Sequence, residues 1–395
     1  MYHPDKNFKV YNIIMAGIYI HVPFCKKACH YCNFHFSTSL SLKNDFVDAL
    51  LKEIELTSSK ENGNESYLGD EIIETIYFGG GTPSLLNKEE LNKILFCLNK
   101  HFAVDPAAEI TFEANPDDIS SQKLKEWKDA GINRLSIGVQ SFNDEHLVWM
   151  NRAHSAKQSL SALEASKKEG FDNISIDLIY GVPGMSIAQW VLNLKQAKEL
   201  DIPHLSCYAL TVEPSTALQR MIQQKKIKDV DPDLQAEQFQ LLTSWAETNG
   251  YEQYEISNFA IPGIRSRHNS SYWQGKKYLG LGPSAHSFNG SSRQWNVANN
   301  TLYIQSVKKN ILAVEKEILT PVQQLNEYIM TSLRTTEGIN TNYVEKQFGK
   351  EAVRHITESA YNYIYDGKIK YINDAFQLTQ TGKLFADGIA AALFR

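Results

Sequence analysis

From Ile18 to Leu210 the chain repeats one pattern: a short apolar run, a loop of glycine or polar residues, then a stretch with helical periodicity. The runs are Ile18 to Phe24, Thr75 to Phe78, Glu109 to Phe112, Arg134 to Val139, Asn173 to Tyr180 and His204 to Leu210. Short and rich in Ile, Val and Phe, they read as strands. Helical stretches follow at Ser41 to Ser58, where Phe46, Leu50 and Ile54 share a face, and from a cap at Asn87 to about His101. Others lie at Ser121 to Ala130, within Asn143 to Glu169, and at Ser186 to Leu200. Strands alternating with helices predict an α/β architecture on a parallel sheet, closed in part as a parallel (β/α)6 barrel. In such barrels active sites gather at the carboxyl ends of the strands. Here each strand ends in something unusual for structure alone: a cysteine loop, Gly79-Gly80-Gly81, Glu113, Gln140, Asp177 and Tyr208-Ala209.

The first strand empties into Cys25, Cys29 and Cys32, spaced C-x3-C-x2-C. Thiolates are the usual ligands of iron–sulfur clusters, and a short loop can wrap three of them around one cluster. In a [4Fe–4S] cubane three cysteines leave one iron open to a small molecule carrying an amine and a carboxylate. A zinc knuckle would need His30 or His35 as a fourth ligand, since zinc takes four closed ligands. The spacing differs from that of the common C-x2-C fingers, and no second Cys/His pair follows at finger distance. Three buried structural cysteines are the other alternative, against which the Lys, His and Asn around them stand. The cluster is the reading adopted. Cys97 and Cys207 read as buried helix and strand residues.

A formal charge of −5 on 395 residues offers no general surface for polyanions and argues against nucleic acid as a partner. Five cysteines, an odd number in a long chain, do not make a secreted disulfide framework. No run approaches a membrane span and no signal peptide opens the chain, so a reducing cytoplasm is expected. Met1 to Met15 is polar and patternless, and Met15 is expected to be the native start. The domains are then an extension at 1–16, the barrel at 17–290, and a linker with a smaller domain at 291–395.

Each strand end admits a plain reading. The glycine triplet followed by Thr82 is either a tight turn or a backbone edge laid against a ligand, and glycine allows both. Glu113 is either a partner of the next helix dipole or a ligand for an ammonium or ribose hydroxyls. Gln140, Arg152 and Asp177 are open to an ordinary polar network.

The string Tyr19-Ile20-His21-Val22-Pro23-Phe24-Cys25 and the cysteine triplet resemble the radical S-adenosylmethionine (SAM) superfamily. The resemblance is to the branch that holds the oxygen-independent coproporphyrinogen III oxidases and their haem-chaperone relatives, and it runs through most of the chain. It implies a cluster on Cys25, Cys29 and Cys32. It also implies SAM contacts from Tyr19, Tyr31, Gly80, Gly81, Thr82, Glu113, Gln140, Arg152, Asp177 and Ala209.

The oxidases carry a fourth cysteine two residues after the third, where Phe34 stands here, and a longer amino-terminal segment. Both departures resemble the haem-chaperone branch. His268-Asn269-Ser270-Ser271-Tyr272-Trp273 looks like the H-N-x-x-Y-W signature of that branch, which is proposed there to hold haem. An imidazole can ligate haem iron, and Tyr and Trp offer flat apolar surface. The alternative is that His268 and Asn269 bond a loop over packed aromatics. With the resemblance, His268, Tyr272 and Trp273 are expected at haem, without His268 being fixed as the axial ligand. The function implied is a cluster- and SAM-binding cytoplasmic carrier that hands haem to haem-requiring membrane enzymes, with reductive SAM cleavage left open. The rival is coproporphyrinogen III decarboxylation, against which Phe34 stands.

From Thr320 three helices, two short strands and a closing helix at Thr381 to Leu393 resemble a winged helix. Its bases are matched by acids, so phosphate binding lacks its main driving term. A lid, homodimer or partner-docking surface is expected instead. The last helix reads as core or as a contact for a membrane or partner.

Overall fold

The computed structural model describes residues 15–58 and 66–395. Of the expected extension at 1–16, positions 1–14, and with them the reading of Met15 as the start, lie outside the described residues, as do positions 59–65; positions 15 and 16 open the first strand. The first unit runs β1 (Met15–Val22), α1 (Lys43–Ser58), β2 (Ile72–Gly80), α2 (Lys88–His101), β3 (Val104–Ala114), α3 (Ser121–Asp129) and β4 (Arg134–Gln140). It continues through α4 (Asp144–Trp149), α5 (Ala156–Lys168), β5 (Ile174–Tyr180), α6 (Ile187–Glu199) and β6 (His204–Ala209). Strands β1 to β6 pair in chain order and all in parallel.

Local chemistry starts the helices where the sequence places them. Asn87 caps α2 in a reciprocal box with Glu90, and Ser155 and Ser186 do the same for α5 and α6. The apolar alternates of the strands then pack beneath these helices. Ile18, Ile20, Ile76, Phe78, Phe112, Leu135, Ile137, Ile176, Leu178 and Leu205 are buried in one core with Phe46, Leu50 and Ile54 of α1. Each such side chain contributes about 1.5–3 kcal/mol. Ring pairs Phe24–Phe46 and Phe112–Trp127, with centroids 5.5 and 5.0 Å apart, lock helix to strand. The opposite alternates are polar yet also buried: His21, Thr75, Glu109, Thr111, Arg134, Ser136, Ser175, His204 and Ser206. Parallel strands covered on both faces normally read as apolar throughout. The polar set therefore marks the face turned toward a site.

The sheet is larger than expected. After α7 (Ala217–Gln223) and α8 (Pro232–Thr248) come β7 (Glu252–Gln253), β8 (Asn258–Ala260), α9 (Arg267–Trp273), β9 (Lys277–Leu281), β10 (His286–Phe288) and β11 (Ser292–Asn296). Then α10 (Asn300–Lys308) and β12 (Val314–Ile318) follow. Strand β9 adds in parallel to the free side of β1, and β10 to β12 extend that edge antiparallel. Strands β8 and β7 extend the β6 edge. The order β12-β11-β10-β9-β1-β2-β3-β4-β5-β6-β8-β7 runs in one line, so among the described residues the sheet is open. This corrects the linker expected from 291: residues 292–318 supply two strands and a helix to the large sheet.

The remainder is α11 (Pro321–Leu333), β13 (Ile339–Asn340), α12 (Thr341–Phe348), α13 (Lys350–Tyr365), β14 (Ile369–Ile372), β15 (Ala375–Leu378), α14 (Gln380–Lys383) and α15 (Ala386–Ala392). Its three-stranded sheet, order β13-β15-β14, and its own core of Leu325, Ile329, Val344, Ile356 and Phe376 form a second body. The single closing helix expected is two short ones. Ile256 packs against both cores.

Candidate functional site

The carboxyl ends of β1 to β6 surround a cavity of about 380 Å3. Its wall includes Cys25, Cys29, Tyr31, Cys32, Gly80, Gly81, Thr82, Glu113, Gln140, Arg152, Asp177 and Ala209. Twelve of the expected residues thus share one wall. Tyr19 does not; it stacks behind Tyr77, with its hydroxyl 3.2 Å from His21 Nδ1. His268, Tyr272 and Trp273 are also absent from it, and Asn269 alone of that motif reaches the cavity.

The cysteine loop is pinned from several sides. Cys25 N–H donates to Ser37 O at 3.0 Å, Asn151 Nδ2 to Ala28 O at 2.7 Å, and Leu218 N–H to His30 O at 2.8 Å. Lys26 ties the loop to Asp117 at 3.0 Å and also pairs with Asp118. All the cysteines are free thiols. Burial pushes the Cys25 thiol up to about 11 and raises Cys32 as well, so neither ionises easily on its own. A metal reverses that, because a coordinating thiol loses its proton outright. Among the described residues no group of three or more His, Cys, Asp or Glu side chains converges on a single metal ion. A cubane takes its thiolates at separate irons, so its ligands stand farther apart than those of one zinc ion.

The rest of the wall is preorganised. Gly81 N–H donates to Val22 O at 2.9 Å, and a Cβ on Gly81 would lie 2.6 Å from Phe24 O. That closeness exposes a strip of backbone beside Thr82. Arg152 donates to Gly138 O at 3.0 Å, Asn115 Oδ1 at 2.5 Å and Cys29 Sγ at 3.3 Å. Gln140 holds a positive φ of 64°, which turns the end of β4 toward the cavity. Tyr77 donates to Glu113 Oε1 at 2.7 Å. Burial, with Asp177 nearby, lifts the Glu113 carboxyl to about 8. Burial raises Asp177 to about 6 against the pull of Arg134 and Arg152. Two half-buried acids, both raised, favour a cationic ligand.

Helix α9 enters from beneath. Glu109 accepts the Arg267 and His268 N–H groups, both at 3.0 Å, and so caps it. His268 is fully buried. Its Nδ1 lies 2.8 Å from Thr75 Oγ1 and its Nε2 2.8 Å from the Tyr272 hydroxyl, and its ring stacks on Tyr77 at 5.0 Å. Burial and Arg134 push its pKa down to about 3. Both nitrogens are engaged, so His268 supports the cavity floor and is not presented to a ligand. Trp273 is half-buried under the guanidinium of Arg334, 5.4 Å away.

Asn115, Asp117 and Ser206 also stand on the wall, without having been singled out by sequence. The period of two along β6 from Tyr208 was the available signal for Ser206. Phe34, 65% exposed, lies at the cavity mouth.

A parallel sheet with a cysteine loop at its carboxyl edge is the arrangement of the radical SAM superfamily, whose model matches residues 19–197. The HemN C-terminal domain matches residues 319–385. The chain is 34% identical over 384 residues to Heme chaperone HemW of Bacillus subtilis, covering 96% of this chain and 99% of that protein. It is 34% identical over 382 residues to Heme chaperone HemW of Mycobacterium tuberculosis strain H37Rv, covering 95% and 94%. The solved coproporphyrinogen III oxidase HemN of Escherichia coli superposes with a TM-score of 0.82 at 25% identity, covering 96% of this chain and 90% of that one. The chain belongs to the radical SAM superfamily, in its HemN-like HemW branch.

Proposed function

We propose that the protein is a haem chaperone that holds a [4Fe–4S] cluster and SAM in this cavity and delivers haem to haem-requiring proteins. The observation that carries the reading is the convergence of the three cysteines and five strand ends on one wall. Near-full-length identity to relatives named heme chaperones supports it. In this reading Cys25, Cys29 and Cys32 hold the cluster. The backbone of Gly80 and Gly81 with Thr82 lies along the amino-acid portion of SAM. Glu113 and Asp177 balance its positive charge, and Gln140, Arg152, Tyr31 and Ala209 complete the wall. Tyr19 holds Tyr77 in place from behind. When bound, the cluster supplies one electron and SAM the group that can receive it. Haem contact falls to the half-buried Tyr272 and Trp273, with His268 as their internal support.

The six parallel strands then correspond to a partial (β/α)6 barrel extended at both edges, and the second body to a winged-helix-like docking domain. No described helix is long and apolar enough to cross a membrane. Work in the cytoplasm at the face of a membrane enzyme is consistent with that.

The test is anaerobic. The cluster is reconstituted, then haem and coproporphyrinogen III are offered separately. Stoichiometric haem uptake with unchanged porphyrinogen is expected. Decarboxylation at a catalytic rate would replace the reading with an oxidase. Cys25→Ala is expected to lose bound iron and sulfide; full retention would remove the cysteines from the site.

A further inference from the structure

Ser206 stands directly across the β5–β6 register from Asp177, within hydrogen-bonding reach of its carboxyl. Its hydroxyl also lies 2.8 Å from Asn258 Oδ1 on β8. One hydroxyl has one proton, so it cannot donate to both. The Asn258 amide has a fixed orientation, because its Nδ2 donates to Glu255 Oε1 at 2.5 Å. Glu255 Oε1 is itself held by the Ser257 N–H at 2.9 Å. Ser206, Glu255 and Asn258 are all buried. Among the described residues Glu255 Oε2 has no hydrogen-bond partner, and neither has Nε of Arg334, an opposite charge acting on it from the second body. Glu255 also bridges to Thr335, beside Arg334.

We propose that Glu255 and Asn258 are positioning residues for the cavity, directing the Ser206 proton away from Asp177. An amide oxygen aimed at Ser206 takes its proton and leaves the Asp177 carboxylate without that donor. Withholding a donor from the charged form disfavours it; burial is what chiefly raises the Asp177 carboxyl, and a Ser206 proton given to it would lower it. The other groups acting there are Arg134 on β4, Arg152 after α4, Glu113 on β3, Tyr77 on β2, Tyr31 in the cysteine loop, and Cys207 and Tyr208 on β6. The inference rests on the proposed role of Asp177 only for its consequence on ligand binding.

The experiment titrates Asp177 in the full chain by carbon-13 NMR with carboxyl-labelled aspartate, assigned with Asp177→Asn. Asn258→Leu removes the competing acceptor. The ratio of ionised to protonated Asp177 at fixed pH should rise about tenfold, a midpoint shift of roughly one unit downward. Glu255→Met frees the Asn258 amide to turn and should shift it the same way by less. If Asn258→Leu does not fold, Glu255→Met and Asn258→Ala carry the same sign. In a Ser206→Ala background Asn258→Leu should move nothing. An unchanged or raised midpoint, or an equal shift in that background, overturns the proposal. Equilibrium dialysis of SAM at pH 5.5 on the cluster-loaded chain should show tighter binding by Asn258→Leu. Absence of SAM binding by every variant would overturn the ligand reading while the Asp177 midpoint still decides this one.

Discussion

Glu113 gives the sharpest quantitative consequence of the cavity. Its carboxyl is half-buried in the cavity wall, bonded to the Tyr77 hydroxyl at 2.7 Å, and raised to about 8, chiefly by loss of solvent. A neutral carboxylic acid has little attraction for a cation, so a positively charged ligand must take this site in its ionised form. Binding of SAM should therefore expel about one proton, and affinity should climb about tenfold from pH 6 to 7. The rise is to be followed only to about pH 7.5, because the ligand's own α-amino group titrates near 7.7–8.0. Glu113→Gln keeps the shape and removes the charge. A hydrogen bond to a charged group is worth about 1.5–3 kcal/mol, or roughly 12- to 160-fold. The variant should approach the wild type at pH 6 and fall well behind by pH 7.5, keeping only a shallow rise of about twofold as Asp177 ionises. The ligand-free stability has the opposite sign. A carboxyl whose folded value is raised binds more protons folded than unfolded, so stability declines as pH rises from about 4.3 toward 8. Unliganded Glu113→Gln should therefore melt above the wild type at pH 8. Isothermal titration in buffers of different ionisation enthalpy gives the proton count, and differential scanning calorimetry the melting order. A pH-independent wild type, or a Gln variant that melts lower at pH 8, would refute the reasoning.

Three substitutions test the wall and the helix that packs behind it. Gly81→Ala drives a methyl into the backbone oxygens of Phe24 and Val22, 2.6 and 2.7 Å away; a loss of about 1–3 kcal/mol in urea unfolding is expected, together with loss of SAM binding. His268→Ala strands the hydroxyls of Thr75 and Tyr272 and empties a packed site. It should cost about 2–4 kcal/mol in the same assay, and haem uptake per folded molecule should hold. Trp273→Ala should weaken haem uptake in a spectroscopic titration, with a smaller loss of stability than His268→Ala.

The six parallel strands were legible because each is a compact apolar run whose outward alternates are Ile, Leu and Phe. The edge strands were not, and the reason is physical. In β12 the sequence Val-Glu-Lys-Glu-Ile is almost wholly exposed, so it carries no hydrophobic signature, and only its pairing with β11 makes it a strand. Charged edges of this kind protect a sheet from further pairing. In the cavity, cysteines and glycines were readable from type and spacing alone. Asn115, Ser206 and Asn258 were not, since what brings them to the wall or behind it is register between strands far apart in sequence. The H-N-x-x-Y-W segment shows the limit of a motif. Its spacing located a helix packed behind the cavity, but whether the imidazole faces a ligand or the floor depends on Thr75 and Tyr272 closing around it.

Arg134 shows how the pieces depend on one another. It is fully buried, and none of its three guanidinium nitrogens has a hydrogen-bond partner among the described residues. Such a charge is expensive to enclose unless charges of opposite sign surround it. Its influence lowers both Glu113 and Asp177, and helps keep His204 and His268 neutral. Without Arg134 the two acids would be still harder to ionise, and the cavity would lose part of its capacity to receive a cation near neutral pH. Arg134→Met, similar in volume, therefore has a definite expected outcome. The proton-coupled rise in SAM affinity should move to higher pH, so that binding at pH 7 weakens by about threefold to tenfold. The unliganded chain should gain stability or lose none, as replacement of a buried ion by an apolar residue often does. A profile left in place by Arg134→Met would mean that the acids are governed by burial alone and that the arginine is merely structural.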